Sequence, residues 1–186
     1  MKNLNNIPRI TLFSTLLKGK KVLHVGCADY PFNPEHNLHL QLLDAGIDAD
    51  GLDINKEGIQ NLIDNGVNSK TLTTSFAEVP YGKYEVVLVP EVIEHVGNVQ
   101  QFFEDLHDLG AKTYIITVPC IFQCADKGIF KIWDIAHEVV HPEHVCWYSP
   151  RTLLRTIEAN TDWEVNDIFW NNGISVGVVC STKQLT

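Results

Sequence analysis

The chain has 186 residues, of which 45% are apolar and 20% charged, and a formal charge of -9. This length and composition describe one globular domain with a sizeable core, not a disordered chain. The acidic balance and the lack of a long basic run argue against sequence-independent nucleic-acid binding, and no apolar run is long enough to span a membrane.

Residues 1–18 read as a polar lead-in and a short helix. Ile10 to Leu17 is interrupted by Thr11, Ser14 and Thr15 and precedes no small-residue cleavage site, so no signal peptide is expected. Val22 to Val25 is the first strand. Asn33-Pro34 supplies a cap and a first-turn proline for a helix over Glu35 to Ala45, stopped by Gly46. Ala49 to Ile54 is the second strand, followed by a helix near Lys56 to Asn65 and a weaker strand around Lys70 to Thr74. Tyr84 to Val89 reads as a buried strand ended by Pro90, which cannot donate a ladder hydrogen bond. Asn98 with Gln101 resembles a capping box for a helix through Leu109. Thr113 to Val118 is the next strand, and Ser149-Pro150 opens a helix to about Ala159. Trp163 to Trp170 and Ile174 to Ser181 flank Asn171-Asn172-Gly173, a hairpin signal. Strands separated by helices and closed by a hairpin indicate an α/β sheet, mostly parallel with one reversed strand. The five cysteines lack framework spacing, which suits free thiols in a reducing cytoplasm.

Chemistry concentrates at two strand ends. Val22 to Val25 breaks into Gly26-Cys27-Ala28, and the next strand ends at the carboxylate of Asp53. A tight turn beside a strand-end carboxylate suits a nucleotide-like ligand, whose ribose hydroxyls the carboxylate accepts. Counted from Gly26, the later glycine positions of a dinucleotide fingerprint hold Ala28 and Pro31, which disfavours NAD and FAD.

The segments VLHVGCADY (22–30), GLDI (51–54), SFAEVP (75–80), YEVVLVPEVIEHVGN (84–98), YIITVP (114–119) and HPEHVCWYSPRTLL (141–154) occur in an order that resembles the class I S-adenosylmethionine-dependent methyltransferases from about Lys20 to Cys180. The resemblance implies a three-layer Rossmann-like fold, with a seven-stranded sheet whose last strand is antiparallel, in a single domain over residues 1–186. It also implies S-adenosylmethionine as cofactor. Gly26, Cys27 and Ala28 would lie against the methionine part and ribose, Asp53 would bond the ribose hydroxyls, and Ile54 would face adenine. Ser75 and Phe76 would stand beside the adenine, and Pro90 and Glu91 under the sulfonium. This chain has His24 where the family usually has a carboxylate, and Ala28 and Tyr30 where it has further glycines.

The expected activity is methyl transfer to an oxygen or nitrogen of a small-molecule acceptor, with no nucleic-acid or membrane partner. His144, His95 and His141 are the candidate bases if the acceptor is a hydroxyl. Glu94 reads as a solvated loop acid, and Asp53 has the plainer alternative of capping the following helix. Residues 120–148 are the expected substrate lid, with Phe122, Phe130, Trp133, Trp147 and Tyr148 as apolar walls. Cys120-x3-Cys124 and His137-x3-His141 match a zinc spacing, although one of these cysteines directly follows a strand, so no metal is assigned. A non-catalytic cofactor-binding scaffold and a zinc-containing interaction module are the alternative classes.

Overall fold

The apolar run Val86–Pro90 is buried along its whole length and forms an inner strand of the sheet. A computed structural model describes residues 1–29, 31–126 and 143–183. Its strands are β1 (Lys2–Leu4), β2 (Lys21–Val25), β3 (Asp48–Leu52), β4 (Leu72–Thr73), β5 (Val86–Pro90), β6 (Thr113–Pro119), β7 (Glu164–Asn171) and β8 (Ser175–Ser181). The helices are α1 (Arg9–Leu17), α2 (Leu38–Asp44), α3 (Lys56–Asp64), α4 (Val99–His107), α5 (Ile121–Asp126) and α6 (Pro150–Asn160). All eight strands join one sheet in the order β1-β7-β8-β6-β5-β2-β3-β4. The run from β6 to β4 is parallel, and β8 is antiparallel to both of its neighbours.

Successive strand residues point to opposite faces, and this alternation builds three layers. Val87 and Val89 of β5 with Tyr114 and Ile116 of β6 pack on one face against Phe103 and Leu106 of α4 and Leu153 and Ile157 of α6. Val86, Leu88 and Ile115 face the other way, onto Phe13 and Leu17 of α1 and Leu38 and Leu42 of α2. Each such fully buried large side chain contributes about 1.5–3 kcal/mol. Tyr114 stacks on Trp163 with centroids 3.7 Å apart, tying β6 to the start of β7. Among the described residues no helix is long and apolar enough to cross a membrane.

Two expectations need correction. The sheet has eight strands, not seven, because Lys2–Leu4 pairs in parallel with β7. Three residues cannot display a periodic pattern, and tertiary contacts hold this strand: Lys2 pairs with Asp167, and Asn5 Oδ1 accepts from Gly173 N at 2.9 Å. The second helix begins at Leu38 and not at Glu35. Asn33 spends its side chain on a turn, accepting from Glu35 N, while Asn37 caps the helix by accepting from Leu40 N. The hairpin forms as expected, with Asn172 at φ 55 and Gly173 at φ 67, the left-handed pair such turns require. Ser149 and Thr152 form a reciprocal capping box on α6.

The sheet also carries a buried imidazole pair. His24 on β2 and His39 on α2 meet Nδ1 to Nδ1 at 3.3 Å, both essentially without solvent access. Burial lowers both pKa values, that of His39 to about 4 against an opposing pull from Asp50. An unfolded imidazole takes up its proton near pH 6.5, whereas folded His39 resists it until about pH 4. Stability is therefore full above pH 6.5 and falls as pH drops through that window, by on the order of 2–3 kcal/mol for this residue at pH 4. Melting temperature followed from pH 7 to pH 4 should decline, and His39→Leu should remove about half of that slope. An unchanged slope would mean that other groups set the acid limit.

Candidate active site

Gly26 ends β2 at φ +74, and a Cβ there would stand 2.4 Å from Val92 Cγ2. Its amide and that of Cys27 both donate to Leu52 O, at 2.8 and 3.3 Å, so the turn folds back over the end of β3. Asp53 follows on β3's side. Its Oδ2 accepts from Ala28 N at 2.9 Å and its Oδ1 from Asn55 N at 2.8 Å. Burial raises its pKa, and the two amide bonds oppose that rise. Asn55 and not Asp53 caps α3, through Gly58 N, so the plain capping role belongs to the neighbour. The Ala28 methyl fills the space where a Cβ on Gly58 would lie, 2.6 Å away.

These turns border a cleft of about 1230 Å³ at the carboxyl ends of β2, β3 and β5. Here the strand order reverses direction, which is where open α/β sheets bind ligands. Gly26, Ala28, Asp53, Ile54, Phe76, Pro90 and Glu91 all line it. Ile54 is 82% exposed, a large apolar side chain left open beside Asp53. Phe76 meets Phe102 edge to face at 5.8 Å. Cys27 and Ser75 do not line the cleft. The Cys27 side chain is wholly buried against Gly51, and its thiol is pushed up by that burial. Ser75 turns its hydroxyl inward to accept from Ala77 N, capping the short turn Phe76–Glu78.

The other wall follows β5. Glu91 sits at φ 55, a left-handed conformation uncommon outside glycine. Its amide donates to Thr117 O at 2.8 Å, and Thr117 Oγ1 donates to its Oε1 at 2.7 Å. The chain then turns through Ile93–His95, bringing Glu94 and His95 to the cleft opposite His144. The His95 and His144 rings meet edge to face at 4.7 Å. Glu94 is 1% exposed, so the expectation of a solvated acid is wrong. Burial, with Glu91 close by, pushes its carboxyl up to about 9. His141 lies outside the described residues, as do Tyr30, Phe130, Trp133 and His137. Of the expected lid walls, Tyr148 belongs to the core, and its bridge to Cys120 continues the sheet.

Sequence reasoning missed Arg9, which reaches the cleft from the first turn of α1. It also missed Asn37, fully buried, whose Nδ2 donates to Cys27 O at 3.0 Å and braces the Gly26 turn. A polar residue directly before Leu38, where a helical apolar pattern begins, is the only local signal for the latter. Asp29, Glu57, Asp105 and Glu143 add to Glu91 and Glu94, giving the cleft an acidic lining. Such a lining favours a cationic ligand and penalises a polyanion.

A methyltransferase domain family matches residues 4–165. The chain belongs to this methyltransferase family. No curated protein matches the sequence. Several solved structures share the methyltransferase's fold at low sequence identity. A SAM-dependent methyltransferase from Archaeoglobus fulgidus is 14% identical, with TM-score 0.65 over 94% of this chain and 91% of that one. The methyltransferase domain of bacterial CtHen1 is 19% identical, with TM-score 0.60 over 96% of this chain and all of that one (100%). The small RNA methyltransferase HEN1 is 14% identical, with TM-score 0.65 over 96% of this chain but 25% of that one. The Archaeoglobus protein of like fold is SAM-dependent, and S-adenosylmethionine carries a sulfonium cation. The cleft fits that cation: a tight glycine turn, a strand-end carboxylate with free lone pairs, an exposed apolar side chain and an acidic lining stand together.

Proposed function

We propose that S-adenosylmethionine is the methyl donor and lies across the Gly26 turn, with its ribose on Asp53, its adenine between Ile54 and Phe76, and its sulfonium near Pro90 and Glu91. The bound donor supplies an activated methyl group, so the protein's work is alignment and exclusion of water. The residual lone pairs of Asp53 accept the ribose hydroxyls while its backbone bonds hold it still. Glu91, bent by its left-handed backbone, directs its carboxylate toward Thr117 and leaves the cleft floor open to the transferring group. His95 and His144 stand at the acceptor end and promote loss of the acceptor's proton. Cys27 braces the turn from behind, and Ser75 shapes the loop that carries Phe76.

The acceptor is an oxygen or nitrogen of a small molecule without net negative charge. The acidic lining of the cleft carries this reading, because phosphates entering it would face a wall with seven acidic side chains, Asp53, Glu57, Asp105 and Glu143 among them, against the single arginine Arg9. Nucleic acid is the second reading, since two structures of like fold are Hen1 proteins and one is a small RNA methyltransferase. Incubation with methyl-labelled S-adenosylmethionine, separately with neutral and cationic metabolite pools and with short RNAs, decides between them. Label should enter the metabolite fraction. Incorporation into RNA alone would overturn the small-molecule reading.

A further inference from the structure

The short turn Ile93–His95 and the segment carrying His144 are locked together at one end of the cleft. Val145 N donates to the Glu94 carbonyl at 2.8 Å, and Cys146 Sγ lies 4.0 Å from the same oxygen. Between these anchors, Glu94, His95 and His144 converge: one carboxylate oxygen and one imidazole nitrogen from each ring all lie within 4.8 Å of one another. Glu94 is 1% exposed, and neither of its carboxylate oxygens has a hydrogen-bond partner among the described residues. His95 Nε2 stands 3.9 Å from Glu94 Oε1, beyond hydrogen-bond reach. A carboxylate buried in this way is costly unless a cation compensates it.

We propose that Glu94, His95 and His144 form a divalent-cation site at the acceptor end of the cleft. Two imidazole nitrogens and one carboxylate oxygen suit manganese, iron(II), cobalt or zinc better than magnesium or calcium. All three residues line the cleft, so the remaining coordination positions face its interior. The site stands on its own geometry, whereas its role rests on the methyl-transfer reading above. An acceptor hydroxyl coordinated there loses its proton to water more readily. The oxygen then attacks the methyl carbon, an O–C bond forms as the C–S bond breaks, and sulfur keeps the electron pair in S-adenosylhomocysteine. This narrows the acceptor to a hydroxyl.

The test uses full-length protein stripped with chelator and titrated with Mn(II), followed by electron paramagnetic resonance and calorimetry without methyl donor. One equivalent should bind, and Glu94→Gln and His144→Ala should each weaken binding by about tenfold or more, in line with loss of one ligand interaction. Circular dichroism checks that the variants fold, and Co(II) absorption of the wild type reports nitrogen–oxygen coordination without any variant. Absence of stoichiometric binding by the wild type, or equal binding by folded variants, would overturn the site. Methyl transfer unaffected by chelator would overturn its role while leaving the methyl-transfer reading intact. Metal binding without any turnover would overturn the methyl-transfer reading and the role with it, while leaving the site itself standing.

Discussion

Asp53→Ala should weaken binding of S-adenosylmethionine and S-adenosylhomocysteine by about 100-fold, the equivalent of two hydrogen bonds to a charged acceptor. The carboxylate ends β3 at the strand reversal, and each oxygen already accepts one backbone amide, from Ala28 and from Asn55. Those bonds fix its position so precisely that little ordering remains to be done when ribose arrives. They also give the residue a structural share: the alanine variant leaves two amides to find water, costing about 1–3 kcal/mol of stability. Asp53→Asn separates the two effects, since its amide oxygen still accepts from one loop while the charge is lost. Isothermal titration of all three proteins with S-adenosylhomocysteine reads the ribose contact directly. Equal affinity in wild type and a folded alanine variant would remove Asp53 from the donor site.

Turnover should fall by about 10²–10⁴ in His144→Ala and in His95→Ala, with donor affinity unchanged, the range typical of losing a group that handles a proton in the transition state. The two rings touch at 4.7 Å and share the same end of the cleft, so they act as one unit. Effects within such a unit are not additive, and the double variant should be little slower than the worse single one. Single-turnover rates with a known acceptor, beside calorimetric affinities for the donor, check both statements. Additive losses, or losses that appear in donor affinity, would place the histidines in separate roles.

The parallel core and its order of strands and helices were readable because they rest on local signals. Val86 to Val89 is an unbroken apolar run, Ser149-Pro150 opens a helix, and Asn172-Gly173 closes a hairpin. β1 was not readable, since its three residues owe their conformation to β7, 165 positions away at the Lys2–Asp167 pair. The turn at Gly26 and the carboxylate of Asp53 could be located, because spacing along two strands brings them together. Glu94 could not. Its burial comes from the segment at Val145, folded over it through a contact 51 positions distant, and nothing near EVIEH announces that cover. Arg9 escaped for the same reason, as its place in the cleft depends on how α1 lies over the sheet.

The contact between Ala28 and Gly58 constrains what these two positions can become. They share one methyl group's worth of room, so their acceptable residues are not independent. An added methyl at 58 is tolerable only where 28 gives one up, and a double-glycine version would leave a void that loosens the helix behind the ribose turn. Drift along this lineage is therefore expected to move the two sites as a pair, trading the methyl from loop to helix while the path of the turn stays the same.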